Sequence, residues 1–229
     1  MKELEAMGSA QTKKTFMNHG AVEPFFGVKV GDMKTIVKKV KKNYELSLEL
    51  FDTGNADAMY LAGLISDPQK MTKKDLQSWA DKASWHMISE YAVPWTTSES
   101  PYAMEMAMKW IDSPKEKIAS AGWTTLSSYI SITPNDMIDK KLFKSLVDRV
   151  AKEIHSAHNR VRYTMNAFII SVGGYIPELR DHAIKAAGKI GNVTVHQGTT
   201  ACKVPEAISY IEKMAAAGSE NKKKKTAKC

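Results

Sequence analysis

The spacing of the apolar residues constrains this chain more than any other feature. Met33, Ile36, Val37 and Val40 fall at i, i+3, i+4 and i+7, and so do Leu76, Trp79, Ala80 and Ala83. The spacing returns in Ile88, Tyr91, Ala92 and Trp95, and in Met104, Ala107, Met108 and Ile111. Phe143, Leu146, Val147, Val150 and Ile154 continue it, then Val161, Met165, Phe168, Ile169 and Val172. Leu179, Ala183, Ala186 and Ile190 follow, and Ile208, Ile211 and Ala215 close the series. A period of about 3.6 residues puts each set on one face of a helix. Asp67-Pro68, Ser113-Pro114, Thr133-Pro134 and Gly173-Gly174 fall between sets, where turns belong. Thr72, with Asp75 three residues on, is a helix N-cap, and Pro177 and Pro205 suit first helical turns. Residues 192–195 alternate like a strand, but one short extended piece makes no sheet, so 191–203 is predicted to be a loop.

The chain is therefore all-α, with about ten helices of ordinary length in series. That leaves a bundle, a globin-like pack or a solenoid. Ala58-Met59-Tyr60-Leu61-Ala62 is echoed 45 residues later by Ala103-Met104-Glu105-Met106-Ala107. The offset falls within the roughly 40–47-residue period of HEAT and armadillo helix pairs. With short connections throughout, an α-α superhelix of stacked HEAT-like helix pairs is the expected architecture. Residues 1–216 form its single domain, and 217–229 form a flexible lysine-rich tail.

Charge narrows the partners. The net charge is +8, from 33 Lys and Arg against 25 Asp and Glu, and half of that excess lies in residues 219–229. A mildly basic body with a basic tail fits a polyanion held on one face, although a solvated tail fits equally well. Apolar runs fall short of the roughly 18 residues that cross a bilayer, and the polar start has no secretory h-region. Two cysteines, Cys202 and Cys229, make no disulfide framework. The expectation is a reduced, cytoplasmic monomer that uses no membrane.

Lys34, Lys38, Lys39, Lys41 and Lys42 fan over the exposed side of one short helix. They are candidates to neutralise backbone phosphates, against the alternative of an ordinary solvated face. Arg149, Arg160 and Arg162 form a second group, and Lys203 sits in the predicted loop. Asn159 starts a helix, so Arg160 and Arg162 join backbone N–H groups that favour anions. Among five tryptophans, Trp79 and Trp95 lie on buried stripes, whereas Trp85 opens its helix off the stripe and has the best claim to a binding role. The six histidines follow no metal-ligand pattern, so no metal or cofactor is expected.

Several segments together resemble the AlkD-type family of DNA alkylation repair proteins. They are Phe25-Phe26-Gly27-Val28, Leu48-Glu49-Leu50-Phe51-Asp52, Lys82-Ala83-Ser84-Trp85 and Ala201-Cys202-Lys203-Val204-Pro205, in that order. The likeness covers residues 14–215. It implies a HEAT-like superhelix with a basic DNA-binding face, acting on N3- and N7-alkylated purines. The alkylated base is a good leaving group, so the chemistry needs a carboxylate to stabilise an oxocarbenium-like sugar. Carried onto this sequence, Trp85 matches the family's first tryptophan, His86 stands at the catalytic tryptophan and Glu90 at the aspartate. Ser120 stands at the arginine and Phe168 at the last aromatic. Pro94 cannot donate to the Glu90 carbonyl, so a kink is expected there.

Three readings follow. One is a DNA glycosylase with Glu90 as electrostatic stabiliser and Trp85, His86 and Phe168 around the lesion. The second is a non-catalytic binder of damaged or distorted double-stranded DNA. The third is a protein-interaction scaffold, which requires an apolar or acidic groove. The departures at His86, Glu90 and Ser120 set the second reading against the first.

Overall fold

A computed structural model describes residues 1–219 and 222–228. Its helices are α1 (Lys2–Met7), α2 (Ala10–Asn18), α3 (Val30–Val40), α4 (Tyr44–Asp52), α5 (Ala56–Ile65), α6 (Lys73–Lys82) and α7 (Val93–Ser98). They continue as α8 (Ala103–Ile111), α9 (Glu116–Ile132), α10 (Lys140–Glu153), α11 (Asn159–Tyr175), α12 (Arg180–Ile190) and α13 (Ala207–Ala216). A π turn, Ile88–Ala92, leads into α7. The described residues contain no strand, and the expected loop 191–203 is irregular and runs on to 206.

Helices α4 and α5, α6 and α7, and α8 and α9 pack as consecutive pairs, and so do α10 with α11 and α12 with α13. The second members stack on one another, α7 on α9, α9 on α11 and α11 on α13. The first members form an outer row in which α6 meets α8 and α10 meets α12. The core lies between the rows, in two clusters that meet along α8 and α9. Outer helices begin at Tyr44, Lys73, Ala103, Lys140 and Arg180, so the unit lengthens along the chain. The echo between Ala58–Ala62 and Ala103–Ala107 is not the repeat, because α5 belongs to the inner row and α8 to the outer.

Most stripes are buried as the spacing predicts, and Thr72 and Asp75 form a reciprocal capping box. Four details differ. Helix α8 buries Ala103, Met106, Ala107, Trp110 and Ile111 and leaves Met104 and Met108 half-buried, because Trp110 turns the helix to reach the core. Gly173 and Gly174 lie inside α11 rather than in a turn, since a Cβ at Gly173 would stand 2.7 Å from Ile211 of α13. Pro205 precedes the N-cap Glu206 instead of entering the first turn. The fourth is the tail.

Residues 222–228 lie along the body, contrary to the expected flexible tail. Lys223 Nζ donates to the carbonyls of Ile130 (2.8 Å) and Tyr175 (3.1 Å), and Lys224 N–H donates to Ser131 O (2.8 Å). Ala227 is buried, and its N–H donates to Glu99 Oε1 at 2.7 Å. Lys228 Nζ donates to the carbonyls of Leu64 (3.1 Å) and Ser66 (3.3 Å). These acceptors sit at the C-terminal ends of α9, α11 and α5, where unsatisfied carbonyls carry the negative end of the helix dipole. Cys229 lies outside the described residues.

The segment Phe25-Phe26-Gly27-Val28 is fixed by one buried carboxylate. Asp57, in the first turn of α5, accepts from the N–H groups of Phe26 (2.6 Å), Gly27 (2.9 Å) and Val28 (3.1 Å). Gly27 has φ +80°, and a Cβ there would stand 2.6 Å from the Lys13 nitrogen. The corner sets the direction of α3 and so of its lysines.

Candidate nucleic-acid interface

Inner helices α9 and α11 begin beside one another, and their N-termini border a cleft of about 380 Å³. Glu116, Lys117 and Ser120 come from the start of α9, and Arg160 from the start of α11. The facing wall is residues 84–86 and Ser89, with His19 and Gly20 beyond the end of α2. Residues 196–198 of the long loop complete it. Asn159 holds that loop by bonds to both the carbonyl (2.8 Å) and the N–H (2.7 Å) of His196. Thr199 N–H then reaches Asn18 O at 3.1 Å, which joins the loop to α2.

The wall carrying His86 and Glu90 is shaped by Pro94. Because Pro94 has no N–H to give the Glu90 carbonyl, the chain winds as a π turn in which Val93 N–H bonds to Ile88 O. The expected kink is thus a wider turn. Within it the Glu90 carboxylate lies inward, with 4% of the residue exposed.

Glu90 meets Arg160 there. Arg160 Nε donates to Glu90 Oε1 at 2.8 Å, and Nη2 donates to Oε2. The fork is bidentate and the Arg160 side chain is only 16% exposed. Burial pushes the Glu90 carboxyl above its ordinary range, and the Arg160 guanidinium offsets part of this. Burial opposes the charge on Arg160, yet its bonds to Glu90 raise its pKa above the ordinary value. Two further contacts hold Arg160. Its backbone N–H donates to Glu116 Oε1 at 2.8 Å, and its guanidinium lies 4.4 Å from the centre of the Tyr163 ring.

His86 is driven down to about pKa 4 by burial, with Arg160 and His19 adding repulsion, so its imidazole is neutral at pH 7. Trp85 is buried against Phe16 (5.5 Å between ring centres) and meets His86 edge-on at 4.9 Å. Its Nε1 and the Ser120 Oγ are buried and have no hydrogen-bond partner among the described residues.

The structure thus brings together Trp85, His86, Ser120 and Arg160, with Glu90 behind Arg160. Phe168 does not join them. It is fully buried in the second core cluster, 5.1 Å from Trp123 and 6.1 Å from Phe143, because its place on the α11 stripe faces α9 and α10. Tyr163 is the α11 aromatic at the site.

The basic candidates divide by what already holds them. Arg149 is paired with Asp112 (2.7 Å) and Glu153 (2.8 Å), and Arg160 with Glu90, so neither is free to take a phosphate. Lys39 pairs with Glu3 at the surface (2.7 Å). Arg162 is half-buried, and its Nε lacks a partner among the described residues. Lys34, Lys38, Lys41, Lys42 and Lys203 are exposed. Glu116, His19 and Tyr163 were missed from sequence. The one available signal was Glu116 at a helix start, where a carboxylate meets backbone N–H groups.

No group of three His, Cys, Asp or Glu side chains among the described residues is placed to hold a metal. No helix of the described residues is long and apolar enough to cross a membrane.

The chain is similar to proteins of known sequence and structure over nearly its whole length. An uncharacterized protein of Listeria innocua is 37% identical over 217 residues, covering 92% of this chain and 93% of its own. One of Listeria monocytogenes is 36% identical over the same shares. A solved structure with 37% identity superposes with a TM-score of 0.91, over 100% of this chain and 97% of the other. It represents a new family of proteins related to the HEAT-like repeat DNA glycosylases with affinity for branched DNA structures. The stacked pairs are accordingly HEAT-like repeats. A family model for DNA alkylation repair enzymes matches residues 1–211, and with these relatives it shows that the chain belongs to the DNA alkylation repair family.

Proposed function

We propose that this protein is a non-catalytic binder of branched or distorted duplex DNA. The observation that carries the reading is the Glu90–Arg160 fork. Stabilising an oxocarbenium-like sugar needs a carboxylate whose negative charge faces the reacting carbon. Both oxygens of Glu90 are instead taken by a guanidinium, and the residue is 4% exposed. Arg160 and Glu90 neutralise one another, so the pair offers a cationic alkylated purine no net negative charge at the cleft wall. The neutral His86 offers no compensating charge.

Affinity in this reading comes from phosphates. Lys34, Lys38, Lys41 and Lys42 are exposed on and after α3, whose first turn packs beside Trp85. Lys117 stands at the mouth of the cleft. The affinity of the similar solved protein for branched DNA supports a junction as the preferred form.

The test is binding of a four-way junction and a linear duplex of equal length at several salt concentrations, beside excision of 3-methyladenine and 7-methylguanine from alkylated DNA. The expected result is tighter, salt-dependent binding of the junction and no base release above the buffer rate. Each phosphate-contacting lysine that is neutralised lowers the log–log salt slope by about 0.9. Base release that disappears in Glu90→Gln would restore the glycosylase reading. Salt-insensitive binding would remove DNA altogether and favour a protein scaffold.

A further inference from the structure

The inference concerns the lysine run and rests on the DNA-binding reading above. Its lysines have different fates. Lys223 and Lys228 turn inward and cap helix carbonyls, whereas Lys222, Lys224 and Lys225 are exposed and carry no ion pair among the described residues. The segment is therefore a strap whose anchors fix the backbone while three ammonium groups face out. Three further bonds hold it, from Lys224 N–H to Ser131, and from Thr226 Oγ1 and Ala227 N–H to Glu99. Burial lowers both anchor lysines to about pKa 8, in keeping with amines drawn out of water.

The strap lies at the opposite end of the inner helices from the cleft. Arg160 stands at the start of α11 and Tyr175, a strap anchor, at its end. Fifteen residues at about 1.5 Å each separate them by roughly 22 Å. Helix α3 spans the same two ends. Its beginning packs beside Trp85, and Lys42, just after its last turn, acts electrostatically on Lys228. Asn43 N–H bonds to Ile65 O at 2.7 Å, which fixes that junction. Lys41 and Lys42 are exposed there and also carry no ion pair among the described residues. The acids nearest Lys228 are Glu99, already bonded to Thr226 and Ala227, and Asp67.

We infer that the strap, with Lys41 and Lys42, forms a second phosphate-binding edge that takes another duplex arm of a branched DNA while the cleft edge holds the first. A linear duplex engages one edge at a time, whereas a junction presents arms to both. Two linked contacts then raise affinity for the junction without any new contact chemistry. This gives a physical source for junction preference that needs no base readout, since phosphates position but do not specify.

The test compares the full chain with two variants, Lys222→Ala/Lys224→Ala/Lys225→Ala and Lys223→Met/Lys228→Met, on a four-way junction and a linear duplex. The exposed-lysine variant is expected to lower the junction's salt slope by about 2–3 and the linear duplex's by less than about 1. The anchor variant keeps all three exposed lysines but frees the strap, and it is expected to lose the same junction preference. Equal losses on both DNAs would overturn the inference, because the run would then be a general polyanion anchor. So would full junction preference in the anchor variant. Absence of DNA binding by the unaltered chain would instead sink the functional reading itself. Circular dichroism and melting checks that both variants fold.

Discussion

Arg160→Met tests the central ion pair. The substitution keeps the length of the side chain and removes its charge, which leaves the Glu90 carboxylate 4% exposed and uncompensated. Breaking a buried pair from one side typically costs about 3–5 kcal/mol. Protonation limits that figure here. Moving a carboxyl from its ordinary pKa of 4.5 to a neutral state at pH 7 costs about 3 kcal/mol. At pH 5 the same step costs under about 1 kcal/mol. Without Arg160 the folded pKa of Glu90 rises further above its unfolded value, so stability is present at low pH and more of it is lost as pH rises past 4.5. The variant is expected to be destabilised by about 3–4 kcal/mol at pH 7 and by about 1–2 kcal/mol at pH 5, lost hydrogen bonds included. Urea unfolding followed by circular dichroism at the two pH values measures this against the unaltered chain. Removing Arg160 also relieves His86, which shifts stability in the same direction, so the pair of measurements is repeated in a His86→Gln background. A loss that is the same at pH 7 and pH 5 there would refute the argument, because it would mean that Glu90 is solvated. Adding Glu90→Leu to Arg160→Met is expected to restore most of the loss, since a buried pair replaced by apolar groups is often neutral.

Other sites give sharper or smaller effects. Asp57→Asn removes the negative charge that three N–H groups converge on, and a loss of about 2–4 kcal/mol is expected, read as a lower unfolding midpoint; an unchanged midpoint would show that the corner is held otherwise. Gly63→Ala places a Cβ 2.6 Å from that of Ala92 in the π turn, which predicts overpacking of about 1–3 kcal/mol, read as a lower unfolding midpoint. His86 has a folded pKa near 4 and an unfolded one near 6.5, so its neutral form stabilises above pH 6.5 and that contribution is lost as pH falls to 4. His86→Gln is expected to flatten this acid limb by on the order of 1 kcal/mol, after allowance for its partial exposure.

What the sequence made legible was local. The stripes of α10 and α11 are buried residue for residue, and the Thr72–Asp75 cap forms as its spacing requires. Each of these depends on neighbours within one or two helical turns. Phe168 is instructive because its own stripe already set it on the buried face of α11, and the family alignment drew it towards the cleft. The periodicity was the better guide. The strap was illegible for a different reason. A lysine run has no period, and its acceptors are helix-end carbonyls, which every helix possesses. Only the stacking of the inner row brings several such ends into one line.

The Glu90–Arg160 pair spans 70 residues of sequence. Each partner alone invited a different role, a catalytic carboxylate and a phosphate ligand, and their meeting cancels both. Two local features make the meeting geometrically open. Pro94 widens the turn that carries Glu90, and glutamate reaches one methylene further than the aspartate expected of the family. The cleft is left nearly balanced in charge, with Glu116 and Lys117 together and His86 neutral. A balanced cleft supplies shape and hydrogen bonds but little of the electrostatic attraction that dominates affinity for DNA. That attraction must come from exposed cations outside such pairs, and those on and just after α3 and along the strap flank the two ends of the inner helices. The partner of this chain is therefore read less from its most conspicuous buried residues than from the lysines its own acids have left uncompensated.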